Sequence, residues 1–182
     1  VIRGNHDQIK DLMVFNQYDD RVWVAEQPER IVLEFGPELP PRGIPACLQI
    51  LTIPHFNAGA LALQQENLDD LNDKGTDLFS QMMDDYFQKV RSHDGPSIVA
   101  FHGTVSDAAL DNGYIPRQNG IHLNLARLTT LGCPVVGGHY HRCQEVGGPG
   151  TNVWYSGSLT RQTYGESEGD KGVLLFEYED GA

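Results

Sequence analysis

The sequence predicts an α/β fold, a β-sheet sandwich flanked by helices, and two observations lead to this class. Short apolar runs typical of strands alternate with segments whose apolar residues recur at the spacing of amphipathic helices. The chain contains no internal repeats and no low-complexity segment. Its 182 residues have the length of one domain with a sizeable core.

The first part of the chain is predicted to be rich in strands. Residues 1–2 have the character of the end of a buried strand that runs into a turn at Gly4. Two β-rich runs, 22–24 and 31–33, are predicted to pair as a hairpin. A loop rich in proline and glycine then leads to a further predicted strand over residues 47–53.

Helices are predicted for the middle of the chain. Residues 58–72 have an acidic, helical pattern, and a stronger helix is capped by Thr76 and runs to about Ser92. Its apolar residues form one stripe, which we interpret as core packing rather than as a cofactor site. The stripe consists of Leu78, Phe79, Met82, Met83, Tyr86, Phe87 and Val90.

The second half of the chain continues the alternation of strands and helices. We expect strands over residues 96–101, 135–137, 152–155 and 172–178, and a helix over 121–131. A glycine and a proline directly after this helix are typical of a helix C-terminus. Long polar loops connect several of these elements.

Composition and charge limit the classes of function. The net charge of −12 weighs against nucleic-acid binding, because phosphate contacts favour Lys and Arg, although bound metal can offset clustered carboxylates. No apolar run approaches membrane-spanning length, and no signal peptide is visible. We therefore expect a cytoplasmic protein without membrane contact.

The three cysteines, Cys47, Cys133 and Cys143, show no spacing typical of a disulfide framework. Cys133 and Cys143 lie near two histidines, but their spacing fits no structural zinc motif. Free cysteines are common in protein interiors, so we assign these residues no metal role.

Three predicted strands each end in a side chain that can bind a metal ion: Asn5, His102 and His139. Ligands gather at the carboxyl ends of strands in α/β sheets, so neighbouring strands would bring these side chains to one edge. His141 follows two positions after His139 and would point the same way in an extended segment. Amide oxygen and imidazole donors suit manganese, iron or zinc better than calcium or magnesium.

Other polar residues have less specific surroundings. His55 also follows a predicted strand, but a single histidine there is often structural, and we assign it no ligand role. His93 and His122 are interpreted as surface or helix residues. Arg161 and Tyr164 are candidates for contact with a phosphate or a base, with an ordinary loop as the alternative.

Three motifs together resemble a known family. Gly4-Asn5-His6-Asp7, the strand-end His102 and Gly138-His139-Tyr140-His141 resemble the last three signature motifs of the calcineurin-like metallophosphoesterases, in family order. Further short stretches look like the SbcD-type DNA repair exonucleases. These stretches are His102-Gly103-Thr104-Val105 and Tyr155-Ser156-Gly157-Ser158, with Arg161, Gly165-Glu166 and Lys171-Gly172.

The resemblance implies a hydrolase with two divalent metal ions, which we expect to be Mn²⁺. It implies that Asn5, His102 and His139 bind one ion and that His141 binds the other. The matching role of His6 is to stabilise or protonate the leaving oxygen, with Asp7 orienting its ring. DNA as substrate, a homodimer and an SMC-like ATPase partner are implied by the resemblance alone.

The sequence departs from the family at its beginning. The family's first two motifs, Asp-x-His and Gly-Asp, lie upstream of the motif that contains Asn5, and here only residues 1–3 precede it. We therefore expect residues 1–182 to be the C-terminal portion of a single catalytic domain whose N-terminal portion is missing. Most of the shell of one metal would then be absent, and we expect poor turnover from the chain as given.

Two alternatives stay open. One is a phosphatase or cyclic-nucleotide phosphodiesterase of the same fold. The other is a non-catalytic scaffold that keeps the fold and has lost the first two motifs.

Overall fold

A computed structural model describes residues 1–17, 22–35, 47–56, 69–93, 95–110, 112–115, 122–162, 164–166 and 171–178. These residues form an α/β structure around a six-stranded mixed sheet, which confirms the general fold class. The second sheet of the expected sandwich stays a prediction. No helix in the described part of the chain has the length and apolar character needed to cross a bilayer.

The sheet has a parallel centre and antiparallel edges, with the strand order β1-β2-β3-β4-β6-β5. Strands β2, β3, β4 and β6 run parallel, whereas β1 and β5 pair antiparallel with β2 and β6. The strands are β1 (Glu29–Glu34), β2 (Cys47–Ile53), β3 (Ser97–His102), β4 (Val135–Gly138), β5 (Gln144–Glu145) and β6 (Val153–Tyr155).

The core lies along the central strands. Leu51, Val99, Val135 and Val153, one from each parallel strand, are fully buried. Parallel sheets are normally covered on their faces by helices, and their strands are accordingly apolar. This arrangement places the carboxyl ends of four strands at a common edge.

Helix α1 (Ile9–Leu12) is a single turn, and the main helix of the described chain is α2 (Asp69–Arg91). The predicted helix to Ser92 is confirmed, but it begins before Thr76, which therefore does not cap it. The structure does not describe the side chains of Leu78 and Met82. Residues 58–68, the first part of the predicted acidic helix, also lie outside the described residues. The stripe that packs on the sheet includes Phe79, Met83, Phe87 and Val90, all buried, and the half-buried Tyr86.

Helix α3 (Leu125–Thr129) is shorter than the predicted helix over 121–131. Its start is set by Leu123, which forms an isolated parallel bridge with Val105 and so holds the preceding backbone extended. Asn124 then caps the helix, since its Oδ1 accepts a hydrogen bond from the Arg127 amide at 3.3 Å.

Two predicted strand arrangements at the start of the chain are wrong. Strand β1 pairs with β2 rather than with residues 22–24. Residues 22–25 instead contact the N-terminal segment, where Ala25 forms a parallel bridge with Ile2. Ile2 is half-buried and extended in this bridge, but the structure assigns no strand to residues 1–2. Apolar runs of three residues predict extended backbone without specifying which strand is the partner.

The predicted strand over residues 172–178 is also wrong, because the structure assigns no strand there. Val173 and Leu175 are more than 80% exposed, although their pattern is typical of a strand. The start of this segment is held by Lys171, whose contacts are described below.

Tyr155 connects the sheet to the loop after β3. It is fully buried, its hydroxyl donates to Gly103 O at 2.7 Å, and the same oxygen accepts from the Val105 amide at 2.9 Å. Tyr155→Phe leaves both backbone groups unpaired, so we expect it to lower the free energy of unfolding by about 1–3 kcal/mol. Urea denaturation measures this, with the exposed Tyr178→Phe as control, and equal stability of the two variants would contradict the prediction.

Candidate metal centre

The carboxyl ends of the parallel strands position the predicted metal ligands. His102 is the last residue of β3, and His139 directly follows β4. Asn5 reaches the same edge because the N-terminal segment lies beside the end of β2, where the His55 amide donates to Arg3 O at 2.9 Å. The Arg3 side chain also donates to the His55 carbonyl, with Nη2 3.0 Å from the oxygen. These paired contacts bring the beginning of the chain to the edge of the sheet.

Asn5, His102 and His139 lie together at this edge, with the amide oxygen of Asn5 beside a ring nitrogen of each histidine, and we call these three residues the Asn5 cluster. Asn5 Oδ1 lies 3.0 Å from His102 Nε2 and 3.4 Å from His139 Nδ1. Two donors that are each about 2.1 Å from one ion, at angles of about 90–110°, are about 3.0–3.4 Å apart. The distances from Asn5 Oδ1 to the two ring nitrogens therefore match the spacing of ligands on a single ion.

The amide oxygen of Asn5 is essential to this fit. Among the described residues, no group of three or more His, Cys, Asp or Glu side chains has an arrangement that holds a metal ion. A metal at this point would therefore depend on a mixed set of one amide oxygen and two imidazoles. Such donors suit first-row transition metals.

Gly4 allows the N-terminal segment to approach His102 closely. A Cβ atom at Gly4 would lie 2.8 Å from Cε1 and 3.0 Å from Nε2 of the His102 ring. Any larger residue at this position would therefore displace the ring that contacts Asn5. The close approach to His102 thus explains why position 4 is a glycine.

His139 has an unusual backbone conformation, with φ at 115°. A non-glycine residue in this region costs about 1–3 kcal/mol, and such residues concentrate at functional sites. The ring stacks on Tyr140 at a centroid distance of 5.4 Å, and Tyr140 stacks on Tyr155 in turn. Packing against buried aromatic rings therefore helps to fix the imidazole beside Asn5.

The electrostatic surroundings keep the histidines of the cluster neutral. Burial, followed by the nearby His139 and His55, lowers the pKa of His102 to about 4. Burial, followed by the neighbouring His55 and His141, lowers the pKa of His139. Neutral imidazole is the form that binds metal ions, so these side chains are ready to act as ligands at neutral pH.

The lowered pKa predicts a pH dependence of stability. His102 takes up a proton near pH 6.5 when unfolded but near pH 4 when folded, so the unfolded state binds more protons between these values. Stability of the metal-free protein should therefore fall as the pH is lowered from about 6.5 to about 4. Urea midpoints measured in EDTA across this range test it. We expect His102→Gln to flatten the slope and His93→Gln to preserve it; equal slopes in both variants would argue against this assignment.

His55 is the residue at this edge to which the sequence assigned no role. Its ring centroid lies 6.1 Å from that of His102 and 6.2 Å from that of His139. Its Nδ1 is buried and, within the described part of the chain, has no hydrogen-bond partner. Burial, followed by the charges of Arg3 and His6, lowers its pKa. The sequence indicated that His55 follows a strand, which was a signal for a place at this edge. The nearby rings of His102 and His139 could be recognised only from the fold.

His141 does not follow the extended geometry expected from the sequence. Strand β4 ends at Gly138, and the backbone of His139 turns away from an extended conformation. The half-exposed ring of His141 places Nδ1 2.9 Å from Oε1 of Glu166, and its position as a ligand stays a prediction. The hydrogen bond from His141, followed by those from Lys171 and the Gln162 amide, holds the pKa of Glu166 well below its usual range despite burial.

The remaining predicted site residues have simpler surroundings. Asp7 Oδ2 accepts a hydrogen bond from the Gly4 amide at 2.8 Å and so closes the turn. His6 is exposed, and its charge contributes to the lowered pKa of His102, after burial and closer neighbours, so it lies near the cluster. Arg161 Nε donates to Glu166 O at 3.1 Å. The roles of His6, Asp7 and Arg161 in chemistry stay predictions.

The three cysteines are free thiols, and none of them belongs to the Asn5 cluster. Cys133 packs in the hydrophobic core, and burial raises the pKa of its thiol to about 11. A protonated thiol is a poor metal ligand, because the thiolate is the binding form. Cys47 and Cys143 are also free cysteines.

No protein-family model matches this chain, and no curated protein matches it. The function must therefore be argued from the motifs and from the geometry of the Asn5 cluster.

Proposed function

We propose that this chain belongs to a metal-dependent phosphodiester hydrolase, a DNA exonuclease or endonuclease of the SbcD type that acts in DNA repair. The observation that carries the proposal is the Asn5 cluster, in which Asn5 Oδ1 lies 3.0 Å from His102 Nε2 and 3.4 Å from His139 Nδ1 at the carboxyl edge of the sheet. The matching motifs and their order along the chain supply the choice of family. A cytoplasmic location, a homodimer and an SMC-like ATPase partner belong to the same proposal.

The residues present fit a divalent transition metal such as Mn²⁺. Asn5 Oδ1, His102 Nε2 and His139 Nδ1 would hold one ion, and His141 would contribute to a second. A metal held by these residues would supply Lewis-acid activation of water and of the phosphate. The neutral state of both histidines in the cluster supports this use.

The side chains around the cluster have distinct parts in the proposed reaction. His6 is exposed near the cluster, where an imidazole can donate a proton to the leaving oxygen. Asp7 fixes the turn that carries His6, through its bond to the Gly4 amide. Arg161 is the candidate for contact with the phosphate backbone. Its Nε donates to Glu166 O, and the planar guanidinium carries further N–H donors that suit a phosphate.

A second candidate is a phosphatase or cyclic-nucleotide phosphodiesterase that uses the same site. The net charge of −12 favours it, since a long polyanion such as DNA is repelled more strongly than a small phosphoester. The third alternative, a scaffold without chemistry, predicts that neither metal binding nor hydrolysis depends on the cluster.

The test compares two substrates with the complete gene product in Mn²⁺. Cleavage of linear duplex DNA and of bis-p-nitrophenyl phosphate, both lost in Asn5→Ala and retained in His93→Ala, supports the nuclease proposal. Cleavage of the small ester with intact DNA would replace it with the phosphatase or phosphodiesterase alternative. Absence of both activities, together with absence of Mn²⁺ binding by isothermal titration calorimetry, would leave the scaffold.

A further inference from the structure

We infer that Glu166 is a positioning residue for His141, which fixes the tautomer and orientation of its ring so that Nε2 is available as a ligand. The inference rests on the proposed function in one respect, namely that His141 binds a metal ion. The tautomer itself is a property of the metal-free protein. It can therefore be tested separately from the function.

Glu166 is a buried carboxylate with a fully occupied set of contacts. It ends the short 3-10 helix Tyr164–Glu166 and is 1% exposed. Oε1 lies 2.9 Å from His141 Nδ1. Oε2 accepts from Lys171 Nζ at 2.9 Å, from Ser158 Oγ at 3.2 Å and from the Gln162 amide at 3.1 Å.

The same group of residues also holds the backbone of His141. Lys171 Nζ donates to His141 O at 2.9 Å and to Ser158 Oγ at 2.9 Å. The Ser158 amide donates to His141 O at 3.1 Å. Ring and main chain of His141 are therefore both tied to a cluster that we call the Glu166 clamp, formed by Ser158, Gln162, Glu166 and Lys171.

The chemistry of a carboxylate determines what this contact does. An ionised carboxylate only accepts hydrogen bonds, so the neutral His141 ring must carry its proton on Nδ1 to bond with Glu166. The lone pair of the ring then lies on Nε2. A carboxylate behind a ligating imidazole fixes the ring and raises its basicity in many metal sites. The Glu166 clamp has the same arrangement.

Exposure distinguishes this arrangement from a structural salt bridge. The Lys171 side chain is 13% exposed and already pairs with Glu166, which is enough to compensate a buried carboxylate. The second oxygen is nevertheless used for the half-exposed imidazole of His141, whose side chain is 44% exposed. The clamp thus joins a buried carboxylate to an imidazole that is partly open to solvent.

Nitrogen-15 NMR of the metal-free protein tests the inference directly, because it reads which ring nitrogen of His141 carries the proton. We expect the Nδ1–H tautomer in the wild type. In Glu166→Gln the side-chain amide can donate to Nδ1, and we expect a shift towards the Nε2–H tautomer. The matched control is Glu145→Gln, since Glu145 also accepts hydrogen bonds from a loop, at the Gly150 and Asn152 amides.

Metal titration supplies the second readout. We expect Glu166→Gln to weaken Mn²⁺ binding about 10- to 100-fold, with Glu145→Gln close to wild type. A wild-type protein whose His141 carries its proton on Nε2 overturns the inference even if Glu166→Gln fails to fold. A tautomer that is the same in wild type and in folded Glu166→Gln overturns it as well. If the tautomer shifts while the wild type binds no Mn²⁺, the positioning role stands and the proposed function is wrong.

Discussion

Replacing His102 with alanine in the complete gene product should reduce Mn²⁺ affinity by about 100-fold or more and remove the hydrolysis that the proposed function requires, because first-row metals are held by few, strong ligands. His102 Nε2 is 3.0 Å from Asn5 Oδ1, so its removal takes away one of three donors in the Asn5 cluster. Because the His102 ring is neutral at neutral pH, its replacement removes a metal ligand without changing the charge of the cluster. Electron paramagnetic resonance of Mn²⁺ measures the free ion directly during a titration.

The control for this substitution is His93→Ala, which removes an imidazole two residues after the end of α2. Its only described side-chain contact is a weak one to Cys47, at 3.7 Å. Circular dichroism of both variants establishes that the fold is retained. A His102→Ala protein that binds Mn²⁺ as tightly as the control would remove the Asn5 cluster from the proposal.

Gly137→Ala should be strongly destabilising, by about 3 kcal/mol, because it overpacks the centre of the sheet. A Cβ atom at Gly137 would lie 2.0 Å from Cζ of Phe101, its cross-strand partner on β3. The Phe101 ring is 2% exposed and packs edge-on against Tyr155 at 5.4 Å, so it has little room to move. Urea denaturation gives the change in the free energy of unfolding.

Two comparisons make this prediction specific. Gly103→Ala is the control, because a Cβ atom there meets no other atom within 4 Å. A shorter side chain at position 101 should relieve the clash. The cost of Gly137→Ala should therefore be smaller in a Phe101→Leu background than in the wild type, a coupling that a double-mutant cycle measures. Equal stability of Gly137→Ala and Gly103→Ala would show that the ring is not the obstacle.

Local patterns were sufficient for the part of the site that depends on strand ends. His102 and His139 follow short apolar runs, and parallel strands place such ends at one edge whatever the details of the connections. The stripe of α2 was equally predictable, because its 3.6-residue period is written in the sequence. For these features the neighbouring residues along the chain carry the information.

Features that depend on distant partners could not be predicted. The composition of β1 predicts a strand but does not specify its partner. It fits pairing with residues 22–24 as well as the observed pairing with β2. Residues 172–178 have a strand pattern but, in the part of the chain that the structure describes, pair with no strand. The contact of His55 with two other rings, and that of Glu166 with His141, depend on how loops fold back on the sheet.

The origin of the Asn5 cluster in distant parts of the chain has a kinetic consequence. Asn5 is separated from His102 by 97 positions and from His139 by 134, so the donors meet only after long loops have closed. Contacts of this range form late and slow the search for the native state. An ion that requires all three donors would then bind after the folding barrier has been crossed. Saturating Mn²⁺ should prolong the lifetime of the folded chain while leaving its refolding rate unchanged.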